Sequence, residues 1–197
     1  MKRTLVAALA LASFAMLALP PRVEAIPLVS VGSATVNVGD TFTIPVSITD
    51  AVDLTSFQFD LSFNALILQV TATGVTESTF FTQGDITVFI SGFVDNTAGQ
   101  ILGVSDALIF QSPVNGSGVL ANIEFNAIAL GISPLTLSNV FLNFSDSGFT
   151  VTNGEVCVKS PAATTCEPVG AVPEPGTVVL LAMGLALLTW RRWTSTR

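Results

Sequence analysis

Between positions 34 and 158 the chain alternates short runs of Val, Ile, Thr, Phe and Leu with breaks of Gly, Asn, Asp, Pro and Ser, and no stretch keeps a helical period. That is the pattern of strands joined by tight turns. It is clearest at 54–63, where Phe57, Phe59, Leu61 and Phe63 alternate with Ser56, Gln58, Asp60 and Ser62. Successive side chains of a strand point to opposite faces, so the apolar set is core and the polar set faces water. Alanine at Gln58 or Asp60 is accordingly expected to leave folding intact. Ile123, Phe125 and Ala127 alternate in the same way with Asn122, Glu124 and Asn126. Strands are predicted at 34–38, 41–49, 54–63, 66–72, 86–91, 100–107, 118–129, 135–142 and 150–158. Half-buried strands with turns at close spacing imply two antiparallel sheets packed face to face, an all-β sandwich or jelly roll. There is no internal repeat at solenoid or propeller spacing, which makes it a single domain.

Both ends depart from this pattern. Met1-Lys2-Arg3 give a positive start, 4–19 an apolar run, and Val23-Glu24-Ala25 the small residues of a cleavage site. These are the parts of an export signal cut between Ala25 and Ile26. A retained N-terminal anchor is the competing reading; it is disfavoured because the run is shorter than a bilayer span and is followed by Pro20-Pro21. Residues 160–172 pass into Pro, Ala, Thr, Glu and Gly, too poor in apolar surface to order themselves, and read as a linker. An apolar run at 177–190 then ends in Arg191-Arg192, with Arg197 last. Arginines after an apolar segment stay cytoplasmic and leave everything before it outside. At ~1.5 Å per residue the run covers about 21 Å, short of the ~30 Å hydrocarbon core. Trp190 and Trp193 at the headgroups and snorkelling Arg191 and Arg192 make up the difference, giving a single transmembrane helix at 177–193. The expected division is export signal 1–25, sandwich 26–159, linker 160–172 and tail 173–197.

Charge narrows the function classes. The formal net charge is −7, and between 26 and 172 Lys159 is the one basic residue. Such a field repels nucleic acid and anionic lipid surfaces. The chain has no His and no Tyr, so nucleophile triads lack their usual base and histidine-based zinc catalysis is excluded. A glycosidase needs two acids across a cleft, and the acids here fall at turns or outward strand positions with nothing marking a pair. Asp50 with Asp53, and Asp95 with Asn96, offer loop oxygens to calcium but fit no calcium-loop signature and read as turn residues. No catalytic residue, metal or cofactor is assigned. Cys157 and Cys166 form either a disulfide closing the end of the domain in an oxidising compartment, or two free thiols.

Several segments, in order, resemble the cohesin family. They are Val38-Gly39-Asp40-Thr41-Phe42-Thr43-Ile44-Pro45-Val46, then Phe57-Gln58-Phe59-Asp60-Leu61-Ser62-Phe63-Asn64 with Leu66 to Val70. Gly116-Ser117-Gly118-Val119-Leu120-Ala121-Asn122-Ile123-Glu124-Phe125 and Ser133-Pro134-Leu135-Thr136-Leu137-Ser138-Asn139-Val140 resemble its later strands. Together they cover most of residues 28–158. The resemblance implies a nine-stranded jelly roll without catalysis, whose relatives bind dockerin modules in polysaccharide-degrading complexes or display proteins at a cell surface. It also implies that one sheet face receives the partner, with Ser56, Gln58 and Asp60 at outward positions of that face.

The tail, Val172-Pro173-Glu174-Pro175-Gly176 followed by the apolar run and Arg191, Arg192 and Arg197, resembles a PEP-CTERM sorting signal. That resemblance implies processing near Pro173, Glu174 and Pro175 by an exosortase. The protein would pass from an inner-membrane-anchored precursor to the outer envelope or exterior of a Gram-negative bacterium, with frequent association with exopolysaccharide or biofilm matrix. Asn115-Gly116-Ser117 and Asn143-Phe144-Ser145 match the glycan-acceptor pattern and are coincidental in a bacterium. A carbohydrate-binding module shares the sandwich architecture and is the competing function, but sugar platforms usually use exposed Trp or Tyr. Here both Trp lie in the tail.

Overall fold

The structure, a computed structural model, describes residues 25–83, 86–110 and 112–166. The cleavage-site residues Ala25 and Ile26 lie within this range and are exposed. The export signal before them, Pro173-Glu174-Pro175, the 177–193 helix and Arg191, Arg192 and Arg197 lie outside the described residues. Eleven strands and one short helix are formed: β1 Leu28–Val31, β2 Ala34–Asn37, β3 Thr41–Leu54, β4 Ser56–Ser62, β5 Leu68–Glu77, α1 Thr79–Thr82, β6 Phe93–Asp95, β7 Gln100–Ala107, β8 Val114–Ala127, β9 Gly131–Leu142, β10 Thr150–Thr152 and β11 Gly154–Lys159. They make a five-stranded sheet, β10-β1-β3-β8-β5, and a six-stranded sheet, β2-β11-β9-β4-β7-β6. All pairs are antiparallel except β1 with β10 and β2 with β11.

The core follows the period-two reading. Phe57, Phe59, Leu61 and Phe63 are buried from one sheet against Ile44, Val46 and Ile48 of β3 and Leu120, Ile123 and Phe125 of β8 from the other. Phe63 meets Phe125 edge-on with ring centres 5.3 Å apart. The residue following Ser78 starts α1, whose Phe81 is fully buried and packs edge-on against Phe57 at 5.1 Å, plugging one end of the sandwich. Phe80 lies on Gly118 so closely that a Cβ there would sit 2.3 Å from its ring.

The strand count departs from the expected nine for three local reasons. The 150–158 run is two strands: the chain leaves the five-stranded sheet at Thr152 and joins the other at Gly154. The short strand β1, absent from the reading of the pattern, makes the matching switch into β2. The two crossings touch, since a Cβ on Gly154 would lie 2.3 Å from the Gly32 carbonyl oxygen, and only glycine permits that approach. Residues 86–91 make isolated bridges, Thr87 to Leu108 and Ile90 to Ser105, instead of a strand, and the edge strand β6 begins at Phe93. Without changing the count, β3 also runs on through its bulges to Leu54.

Cys157 and Cys166 are paired as a disulfide with Cα atoms 6.0 Å apart. Lys159 Nζ donates to Asn37 Oδ1 and Ala163 O, at 3.2 and 2.9 Å, so the start of the linker is held against the end of β11.

Candidate binding face and a buried carboxyl pair

The outer face of β9-β4-β7 carries a cavity of about 430 Å³. Strand register decides its composition. Ser56 pairs with Ala107 and Gln58 with Ser105 on β7 and Phe141 on β9, so all five share the outward face. Ile90 bridges Ser105 and points the same way. Val88 and Ile90 stand 51 % and 54 % exposed on one side of the cavity, while Phe141 and the 87 % exposed Phe144 stand on the other. Phe93 and Leu102, paired between β6 and β7, are exposed as well, and exposed apolar side chains gathered on an otherwise acidic domain are the kind that mark an interaction site.

The three residues expected on this face fare differently. Gln58 is exposed. Ser56 is outward by register yet only 6 % exposed, because the 86–90 segment and the loop at Asn143 rise around it; its Oγ is buried with no hydrogen-bond partner. Asp60 is half-buried, and both its oxygens are engaged within the sheet: Gly103 N donates to Oδ1 and Asn139 Nδ2 to Oδ2, each at 2.6 Å. On either side of Asp60 the neighbouring strand carries one extra residue, between Val104 and Ile101 on β7 and between Phe141 and Ser138 on β9. Gly103 and Asn139 have φ of +71° and +47°. Asp60 therefore does not simply face water: it ties two bulges, and alanine there is expected to cost stability, unlike at Gln58. An outward position is free only where its polar group is not itself satisfying a neighbour's backbone.

Asn143 fixes the upper rim. Its Oδ1 accepts from Thr55 N at 2.7 Å and Thr55 Oγ1 at 2.9 Å, and its Nδ2 donates to Asp53 O at 3.0 Å. Asn115 Oδ1 accepts from Asp53 N at 2.9 Å. Both acceptor-pattern asparagines thus hold the turn at 50–55. Of the considered calcium oxygens, Asp95 Oδ1 accepts from Thr97 N and Ala98 N within its own turn, and Asn96 bonds both N and O of Val70 on β5. Among the described residues no group of three or more acids or cysteines is arranged to hold a metal.

Behind this face, Asp106 on β7 points inward and is 2 % exposed. Ala107 N donates to its Oδ1 at 2.8 Å, while Oδ2 is buried and receives no hydrogen bond. Burial first, and then hydrogen bonding and repulsion from the Glu77 carboxyl, push Asp106 up to about 7 from 3.8; the Ala107 N–H and the Thr87 hydroxyl pull the other way. Thr87 Oγ1 donates to Glu77 Oε1. The period-two pattern carried the signal, since Asp106 is in phase with buried Val104, but counting phase from Ile101 misses it across the Leu102-Gly103 bulge.

A family model described as a cohesin domain matches residues 27–158, and one described as the PEP-CTERM protein-sorting motif matches residues 171–192. Cellulose-binding protein A of Clostridium cellulovorans is 32 % identical over 102 residues, which is 50 % of this chain and 5 % of that protein, so the chain spans a small fraction of this relative. Among solved structures, the non-cellulosomal cohesin from Archaeoglobus fulgidus has a TM-score of 0.55 at 24 % identity, covering 69 % of this chain and 93 % of that one. The third cohesin ScaC of Acetivibrio cellulolyticus, solved in complex with the ScaB dockerin, has 0.56 at 14 %, covering 68 % and 99 %. CaCohA2 from Clostridium acetobutylicum has 0.54 at 22 %, covering 71 % and 94 %. At these identities the likeness is one of fold.

Proposed function

Because the chain belongs to the cohesin domain family, we propose that it is an exported, non-catalytic module that docks a dockerin-type protein on the outer face of β9-β4-β7. The observation that carries this is the cavity ringed by Val88, Ile90, Phe141 and Phe144 over the buried, unpartnered Ser56 Oγ. Apolar side chains of a partner would cover the ring, and a polar group at its centre would satisfy Ser56. Gln58 lies open beside it. Similar domains solved with dockerins support the choice of partner. The test is capture of dockerin-bearing proteins by the purified protein. Ile90→Asp and Phe144→Asp, both exposed, should abolish capture without moving the urea midpoint; capture equal to wild type would remove the face from consideration. Co-sedimentation with purified exopolysaccharide that both variants retain would favour the carbohydrate-binding alternative or a matrix role elsewhere on the domain.

The sorting motif at 171–192 supports handling by an exosortase, with an inner-membrane-anchored precursor, a single membrane helix at 177–193 and release to the outer envelope or exterior. We keep the division into 1–25, 26–159, 160–172 and 173–197 on that reading. Prolines at 173 and 175 deny the backbone a helix and hold it extended, the form in which proteases accept a chain. Alanine at Pro173, Glu174 and Pro175 together should leave insertion intact and abolish cleavage in cells carrying the cognate exosortase. Cleavage and release like wild type would reduce the tail to an anchor.

A further inference from the structure

The two sheets come together at one edge, where β5 ends in Glu77 and β7 carries Asp106, and the 86–90 segment lies across that edge. The segment is attached to β7 by Val88 N to Ala107 O at 2.9 Å, Ile90 N to Ser105 O at 2.8 Å and Ser105 N to Ile90 O at 3.0 Å. Its own side-chain bond is Thr87 to Glu77. Asp106 holds Ala107 N while Ala107 O holds Val88 N. Three separate pieces of chain therefore meet at one carboxyl pair, and one of them forms a wall of the cavity.

Two carboxylates cannot share a buried site when both are charged; one proton between them turns repulsion into a hydrogen bond. Asp106 Oδ2 is buried and receives no hydrogen bond, so little in the fold favours a charge on that oxygen. The other elements packed around the pair bring no compensating charge. Among the described residues α1, β8 beside Glu77 and β4 beside Asp106 present no titratable group there, and 86–92 carries none. Lys159 is on β11, across the sheet from β7, and is engaged by Asn37 and Ala163. Asp85 precedes the segment in sequence and lies outside the described residues.

We propose that a proton on Asp106, directed at the Glu77 carboxyl, latches the 86–90 segment to the sandwich edge, and that its loss loosens this wall of the cavity. Titration of Asp106 at about 7 puts the change near neutrality. The consequence for docking rests on the function proposed above; the latch itself does not.

Backbone hydrogen exchange in the intact protein tests the latch without any partner. After correction for base-catalysed exchange, protection of the Val88 and Ile90 amides should fall roughly tenfold or more from pH 5 to pH 8, while the β3–β8 ladder stays unchanged. Asp106→Asn should abolish the step. Should it fold poorly, Glu77→Gln must abolish it instead. Asp85→Asn must leave it in place. A wild-type protein with equal protection at both pH values, a step surviving in Asp106→Asn or Glu77→Gln, or one lost in Asp85→Asn overturns the proposal. None of these results bears on whether a dockerin binds.

Discussion

Asp60→Ala separates the residue's two expected roles, free surface and structural pin. The carboxylate accepts two hydrogen bonds of 2.6 Å, from a backbone N–H on β7 and a side-chain amide on β9. A bond to a charged group contributes about 1.5–3 kcal/mol when sheltered. Asp60 is half-buried, and solvent screening brings the pair to about 2–3 kcal/mol in total. The loss falls where two bulges flank one strand, so the register of β4 against both neighbours depends on it. Equilibrium urea denaturation followed by far-UV circular dichroism gives the value. Gln58→Ala, two residues away on the same face, supplies the reference and should change stability by less than about 0.5 kcal/mol. Asp60→Asn should lie between, since its oxygen still accepts from Gly103 while its amide nitrogen cannot. If Asp60→Ala matches Gln58→Ala, the bulges hold themselves and the pinning argument fails.

Phe59, fully buried and stacked on Phe57 at 6.2 Å, should cost about 3–5 kcal/mol on replacement by alanine; a loss below 1 would put it outside the core. Asn143→Gly keeps the positive φ of +51° accessible but removes the amide that ties Thr55 and Asp53, and should cost about 2 kcal/mol in the same assay. An unchanged midpoint would show that the turn stands without it. Asp106 has a raised folded pKa, so the native state binds a proton that the unfolded chain has already released. Stability should fall as pH rises from about 4 to about 7, by up to ~1.4 kcal/mol per unit, and level off above. The Asp106→Asn midpoint should be flatter over that window, and a wild-type midpoint that rises instead would contradict the sign.

The legible part of the fold was the part governed by alternation. Phe57 to Phe63 and Ile123 to Ala127 face the core as their period dictates. Three features escaped that rule, each for a physical reason. The sheet-switching at Thr152 to Gly154 preserves extended backbone, so no break appears in the pattern. The bulge at Leu102-Gly103 shifts phase by one residue and hid the inward turn of Asp106. Residues 86–91 have strand composition, yet only Thr87 and Ile90 form bridges; composition reports what fits a sheet edge, not how many bonds it forms there. The face proposed for docking was named from β4 alone, whereas its apolar ring comes from Val88, Ile90, Phe141 and Phe144, brought together by register between segments far apart in sequence.

That origin gives the two sides of the cavity different mechanical character. The Phe141 side belongs to β9, which is joined to β4 along its length and fastened by Asp60 to Asn139 and by Asn143 to Thr55. The Val88 and Ile90 side is held by a handful of backbone bonds to β7 and by one carboxyl pair reaching to the opposite sheet. If the proposed docking holds, a partner meeting this face would find one wall already built and one that can adjust, and the Thr87–Glu77 bond would carry that adjustment to the far sheet. On that reading, shape selection among partners would be exercised at Val88 and Ile90, and its energy would depend on the protonation of Asp106 at the back of the cavity.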